Sequence, residues 1–267
     1  MKLPSRESLV DSDHLFLYEH DCRELHNPVV GDFTRLMYLA RFDLVLHTIE
    51  HWARGKRVLD VGCAQGNFSL ALAEGGYAVV PMDLRPSFLR YLRLKYERGQ
   101  ICCVSASIET FPFRPNTFDV VLLGEVIEHV AYPERLLRDL ARLLAPGGVL
   151  VLTTPNGERF HTGLPTLGDV TNRGQLVARQ FRPDADGHLF LLTRGELVTL
   201  IENAGLEVAS HEFFCTPWVT GRLMARHIGR FLPVRARIGL DRLTVGLPGV
   251  ARVLSEGQLV VARSRAS

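Results

Sequence analysis

Glu125, Glu128 and His129 stand at positions i, i+3 and i+4 of the stretch GEVIEHV. On a helical turn that spacing brings three side chains to one face. Two carboxylates and an imidazole, joined by His188 from the later stretch DADGHLFLLT, make a donor set for Mg²⁺, Mn²⁺, Fe²⁺ or Zn²⁺. Without a metal, His129 has the chemistry of a general base, with Glu128 to orient it. A third reading is structural, in which Glu125 hydrogen-bonds locally and His129 caps the turn. The spacing leaves all three open.

A second group lies earlier, in VLDVGCAQGNFSLALA. An apolar run ends in Asp60, Gly62 and Gly66 bracket a tight turn, and a helix is expected from Asn67. Glycines are needed where backbone approaches a ligand or takes positive φ. The dinucleotide fingerprint is G-x-G-x-x-G; here the spacing is Gly62-x-x-x-Gly66, with an acid two residues before. A carboxylate there repels a pyrophosphate and welcomes an ammonium or sulfonium ion. Asp83 ends the next apolar run, where a carboxylate can accept both hydroxyls of a ribose.

The elements that must carry these groups follow from periodicity. Helices are predicted over 35–54, 67–76, 86–99, 134–148 and in the first part of 193–214. Strands are predicted over 56–62, 77–83, 100–107, 118–126, 149–155, the end of 193–214, and 257–264. A short helical turn is expected at 127–130. Continuous Val/Leu runs alternating with amphipathic helices indicate an α/β protein with a parallel sheet covered on both faces. Residues 1–34 read as a flexible or capping arm, 157–187 as a long loop, and 215–256 as an irregular Arg-rich segment. Loops of that length are uncommon unless functional.

The composition narrows the function classes. Length 267 with 46% apolar and 22% charged residues suits one large domain with insertions. A net charge of +2 gives no global argument for nucleic acid. The five cysteines form no C-x-x-C pair and are odd in number, which fits reduced thiols in a cytoplasmic protein. The first residues lack the apolar core of a signal peptide, and no run has the length of a membrane span.

Taken together, VLDVGCAQGNFS, VVPMD, IETFPFRPNTFDVVLLGEVIEHV and LARLLAPGGVLVLTTPN resemble the core of a class I S-adenosylmethionine-dependent methyltransferase. The resemblance covers residues 56–155 and extends through HLFLLTRGELVTLIENAGLEV. It implies a Rossmann-like doubly wound sheet of seven strands in the order 3-2-1-4-5-7-6, the last antiparallel. The implied organisation is an arm and cap helix (1–55), a cofactor-binding core (56–214), an Arg-rich insertion (215–256) and a last strand with tail (257–267).

Carried over by position, Gly62, Cys63 and Gly66 line the methionine moiety of S-adenosylmethionine, and Asp60 lies near its amino group. Asp83 binds the ribose and Leu84 packs on the adenine. The family commonly has Asp after the third strand to accept from the adenine amino group; here Ser107, followed by Ile108, takes that place and accepts more weakly. Glu125 would lie near the cofactor. The ubiquinone-pathway O-methyltransferases are similar at E-x-x-E-H, and small-RNA 2′-O-methyltransferases combine such a motif with a later His. In both, a Mg²⁺ or Mn²⁺ ion would bind the acceptor hydroxyls.

The leading expectation is therefore methyl transfer to a hydroxyl of a small-molecule acceptor. An RNA 2′-O-methyltransferase would need a basic groove that this net charge does not suggest. A third class is a non-catalytic, membrane-associated binding module on a methyltransferase core. Its encouragement is Ser107 in place of the family's Asp. Separately, in the stretch 218–243, Arg222, Arg226 and Arg230 recur every four residues, with Val219, Leu223, Ile228 and Phe231 on another part of the helix. A single basic amphipathic helix there could touch an anionic membrane, grip an acidic partner, or cover the core.

Overall fold

The computed structural model describes residues 1–160, 162–180, 187–229 and 231–264. It divides into two compact units, one of Met1–Gly124 with Arg142–Val151, the other of Glu125–Ala141 with the chain from Leu152 onward.

In the first unit, β1 (Arg57–Val61), α3 (Asn67–Glu74), β2 (Ala78–Asp83) and α4 (Pro86–Lys95) form a strand–helix repeat. β1 pairs in parallel with β2 and with β5 (Phe118–Gly124). Val58, Leu59 and Val61 are fully buried, as are Val120 to Leu123. This explains the unbroken apolar runs, since each such side chain contributes about 1.5–3 kcal/mol on burial. The predicted third strand is two short pieces, β3 (Gln100–Ile101) and β4 (Val104–Ser105), both on β2.

The arm before residue 34 contains a helix packed within the first unit. α1 (Ser12–Arg23) starts on Asp11, whose carboxylate accepts from His14 N, and it buries Leu17 against Phe88 and Tyr91. α2 (Phe33–Trp52) follows, capped by Asp32. Polar composition hid α1 because its buried face includes a charge. Asp21 is fully buried and is met by Lys95 Nζ at 2.6 Å and Tyr91 Oη at 2.8 Å.

In the second unit, α5 (Pro133–Leu143), which ends within the first unit, gives way to β6 (Leu144–Pro155). The helix stops earlier than predicted because Pro146 disfavours helical backbone before it. α7 (Arg194–Asn203) begins on a capping box between Thr193 and Glu196, and leads to β7 (Leu206–Phe214). β8 (Gly257–Ser264) pairs with β7 antiparallel. The sheet order is β3-β2-β1-β5-β6-β8-β7 with β4 beside β2, which is the expected 3-2-1-4-5-7-6 once the split strand is counted as one.

The two late segments are more ordered than the sequence suggests. A 3-10 turn (Leu167–Asp169) and α6 (Arg173–Val177) occupy the first. The second holds α8 (Pro217–Thr220), α9 (Ala225–Gly229), α10 (Val234–Val245) and α11 (Pro248–Leu254). There is no continuous helix over 218–243. Gly221 at φ 70° ends α8, Leu223 at φ 54° interrupts the next turn, and Pro233 precedes α10. Arg222 consequently lies between helices, and Arg230 lies outside the described residues. Among the described residues no helix is long and apolar enough to cross a membrane.

Candidate functional site

In the first unit the loop after β1 is bent into the left-handed region three times, at Gly62 (φ 69°), Ala64 (φ 44°) and Gly66 (φ 74°). Gly62 N and Cys63 N both donate to Met82 O, so the loop folds back on the end of β2. A Cβ on Gly66 would run into the Leu92 side chain. Both carboxylates of the motif are buried, Asp60 at 4% and Asp83 at 8% exposure.

Asp60 accepts from Ser69 Oγ on α3. Burial pushes its pKa up to about 6, the Ser69 hydroxyl works against that shift, and Asp83 adds to it. Asp83 accepts from Ala64 N at 3.0 Å and from Arg85 N at 2.9 Å. Burial raises its pKa and those amides oppose the rise. Asp83 thus has a role that the motif did not reveal, fixing the strained loop residue Ala64. Cys63 is a buried thiol whose pKa burial raises. Leu84 is 46% exposed beside them. Ser107 and Ile108 are half-buried, and Ser107 Oγ accepts from Glu109 N at 3.1 Å, a turn bond.

Beneath this loop is a network that sequence reasoning missed. Asn67, first residue of α3, donates to Asp21 Oδ1 at 2.8 Å and to Tyr38 Oη at 2.7 Å. Lys95 Nζ donates to Asn67 Oδ1 and, at 3.2 Å, to Gln65 O. Gln65 Nε2 reaches Glu24 Oε2 at 3.2 Å. The arm and α4 therefore grip the loop from inside. A lone Lys at a helix end carries no pattern that would have announced this.

In the second unit the turn Ile127–His129 is a 3-10 helix. Glu128, His129 and His188 each offer a ligand atom within 4.8 Å of the others. Glu128 is fully buried and accepts from Thr154 Oγ1 at 3.0 Å. His188 Nε2 lies 3.9 Å from Glu128 Oε1, and the rings of His129 and His188 meet edge-on with centroids 5.0 Å apart. Leu189 N donates to Glu128 O at 2.9 Å, which fixes His188 beside the turn. Burial lowers the His188 pKa, Glu125 opposes that and Arg159 adds to it. Glu125 is not within the convergent trio. Its backbone takes φ 54° and its N donates to Thr153 O, and the 3-10 turn does not keep the i, i+3, i+4 face of an α-helix.

The arrangement gives two chemically distinct places. One offers buried carboxylates and a cradle of loop backbone, suited to a cationic ligand with vicinal hydroxyls. The other offers one carboxylate and two imidazoles, a set that fits a divalent metal or a base with its orienting partner.

Comparison with known proteins gives concordant results. The methyltransferase domain family matches residues 59–152. The chain is 34% identical over 157 residues to the ubiquinone biosynthesis O-methyltransferase of Xanthomonas euvesicatoria, covering 58% of this chain and spanning 64% of that relative's length. It is 32% identical over 190 residues to the enzyme of the same name from Ruegeria pomeroyi, covering 70% of this chain and 74% of the relative. The crystal structure of an S-adenosylmethionine-dependent methyltransferase from Mesorhizobium loti aligns over 84% of this chain and 97% of its own. Its TM-score is 0.57 at 21% identity, a likeness of fold.

Proposed function

The chain belongs to the class I S-adenosylmethionine-dependent methyltransferases, and we propose that it transfers a methyl group from S-adenosylmethionine to a hydroxyl of a small-molecule acceptor. The observation that carries this reading is the pair of buried carboxylates, Asp60 and Asp83, on a loop with three left-handed residues. Buried carboxylates favour a cationic ligand and disfavour a pyrophosphate.

S-adenosylmethionine supplies a methyl carbon made electrophilic by its sulfonium. Asp83 would accept the ribose hydroxyls on the lone pairs that Ala64 N and Arg85 N leave over. Asp60 would meet the methionine ammonium directly or through water, and its ionised form is the one a cation selects. Gly62, Cys63 and Gly66 would line the methionine, Leu84 would cover the adenine, and Ser107 and Ile108 would border it. Glu125 would serve near the cofactor.

In the second unit, Glu128, His129 and His188 would hold a divalent ion. Two imidazoles and one carboxylate suit Zn²⁺, Mn²⁺ or Fe²⁺ better than Mg²⁺, which prefers oxygen ligands and retained waters. Such an ion lowers the pKa of a bound hydroxyl and fixes its position. Thr154 would orient the Glu128 carboxylate. Without the ion, His129 would take the hydroxyl proton and Glu128 would steady the imidazole. Alignment of the acceptor oxygen contributes to either route.

Calorimetric titration tests the reading at its base. S-adenosylmethionine should bind the full chain without added metal, and NAD⁺ should not. Binding of NAD⁺ alone, or of neither, would overturn it.

A further inference from the structure

The second unit contains a cavity of about 170 Å³ that the methyl-transfer reading does not use. Its polar wall is Arg159, Arg222 and Glu256, and its apolar wall includes Phe160, Leu223 and Val253. The backbone around it is stapled. Asn156 N donates to Glu256 O, Phe160 N to Val253 O and Glu256 N to Cys215 O, each at 2.8 Å. Asn156 Nδ2 adds bonds to Arg252 O at 2.8 Å and Ser255 O at 3.0 Å.

The charges in this wall do not balance. Glu256 takes both guanidiniums, Arg159 in an ion pair and Arg222 Nε at 3.0 Å. The neighbouring Arg252 is matched separately by Glu158 at 2.6 Å. One carboxylate against two guanidiniums leaves a surplus of one positive charge. Arg159 is only 15% exposed, and its buried Nε hydrogen-bonds to none of the described residues. A guanidinium has five N–H donors, and an unmet buried donor costs about 1–3 kcal/mol.

The apolar wall is equally unfinished. Phe160, Leu223 and Val253 are 58%, 54% and 42% exposed. Leu223 is held there at φ 54°, a backbone conformation that costs a non-glycine residue about 1–2 kcal/mol. Strain of this kind gathers at ligand-binding places.

We propose that this cavity binds an amphipathic organic anion, its carboxylate or phosphate head on Arg159 and Arg222 and its apolar body along Phe160, Leu223 and Val253. A planar, bidentate donor pair selects such oxyanions. Glu256 bridges the two guanidiniums, Oε1 to Arg159 and Oε2 to Arg222, and competes with the ligand for them.

The test is calorimetry on the full chain with decanoate and decyl phosphate below their micelle concentrations. Decan-1-ol, inorganic phosphate and decyltrimethylammonium serve as controls. At least one of the two amphiphilic anions should bind tenfold or more tightly than any control. Arg222→Met should weaken that binding at least tenfold, and because Arg222 is half exposed this variant should fold; Arg159→Met should do the same. Glu256→Gln should tighten it severalfold, since it removes the competing charge and keeps the shape. Equal binding of decan-1-ol would overturn the anionic head. Equal binding of inorganic phosphate would overturn the apolar body. Weakening by Glu256→Gln would overturn the competition. Sedimentation with phosphatidylglycerol vesicles but no binding of the monomeric amphiphiles would make this a membrane surface and overturn the cavity.

Discussion

The three buried carboxylates of the candidate sites, Asp60, Asp83 and Glu128, are held in two different ways. In the first unit, Asp83 is met by backbone amides of its own loop and Asp60 by a serine one helix turn into α3. In the second, Glu128 is met by a threonine from β6 and faces the imidazole of His188, which lies far along the chain. The first arrangement is local, tied down by a single strand–loop–helix–strand repeat. It presents acids to a ligand that must bring positive charge and hydroxyls. The second is assembled from distant segments and places one acid beside two imidazoles, a set suited to a cation or a proton transfer. Two sites of similar acidity are thereby suited to different partners.

Breaking the internal support of the first site should have the largest effect. Lys95→Met leaves Asp21 buried without its partner, which should cost about 3–5 kcal/mol of stability in urea unfolding. A loss under about 1 kcal/mol would mean that the network beneath the loop is incidental. Asp83→Ala removes the proposed ribose acceptor and the anchor of Ala64. Cofactor binding should weaken by about 2–4 kcal/mol in calorimetry, with the fold retained by circular dichroism. Unchanged affinity would detach the loop from the cofactor.

A smaller, graded effect should come from pH. With Asp60 at about 6 in the free protein, binding of a cationic cofactor must displace a proton below that pH. Affinity should rise about fivefold from pH 5 to 6 and level off above 7, and Asp60→Asn should flatten the profile. The same raised pKa stabilises the free fold at acid pH, a contribution lost as pH rises through about 6. No such pH dependence of cofactor affinity should arise from His188→Ala. The smallest change is expected from Ala64→Gly. Relief at φ 44° exceeds the entropic cost of glycine by about 0.5 kcal/mol, a small upward shift in thermal melting.

What could be read in the sequence follows the same division. The parallel strands and the Gly62–Gly66 loop were legible because buried parallel strands are continuous apolar runs and left-handed turns select glycine, whereas the sheet order came from the family resemblance. The trio Glu128, His129 and His188 was legible in part. Its residues were picked out by their spacing, and the ligand atoms of Glu128, His129 and His188 converge on a 3-10 turn and not on the α-helical face first expected. α1 was unreadable because Asp21, a buried charge, breaks the apolar period that marks a helix face. The Arg222–Arg226 spacing suggested one amphipathic helix, while Gly221 and Pro233 divide that segment. Arg159 and Glu256 carried no signal at all, since an ion pair between remote loops leaves no local spacing to read.

The central claim is that the two sites divide the work, cofactor to one and acceptor chemistry to the other. Calorimetry of S-adenosylmethionine binding to the Glu128→Gln/His188→Ala double variant, set beside Asp83→Ala, tests it most directly. The account predicts that the double variant binds the cofactor within about threefold of the unaltered chain, a difference below roughly 0.7 kcal/mol, while Asp83→Ala loses about 2–4 kcal/mol of binding. Loss of cofactor binding in the double variant to the same degree as in Asp83→Ala would contradict the account.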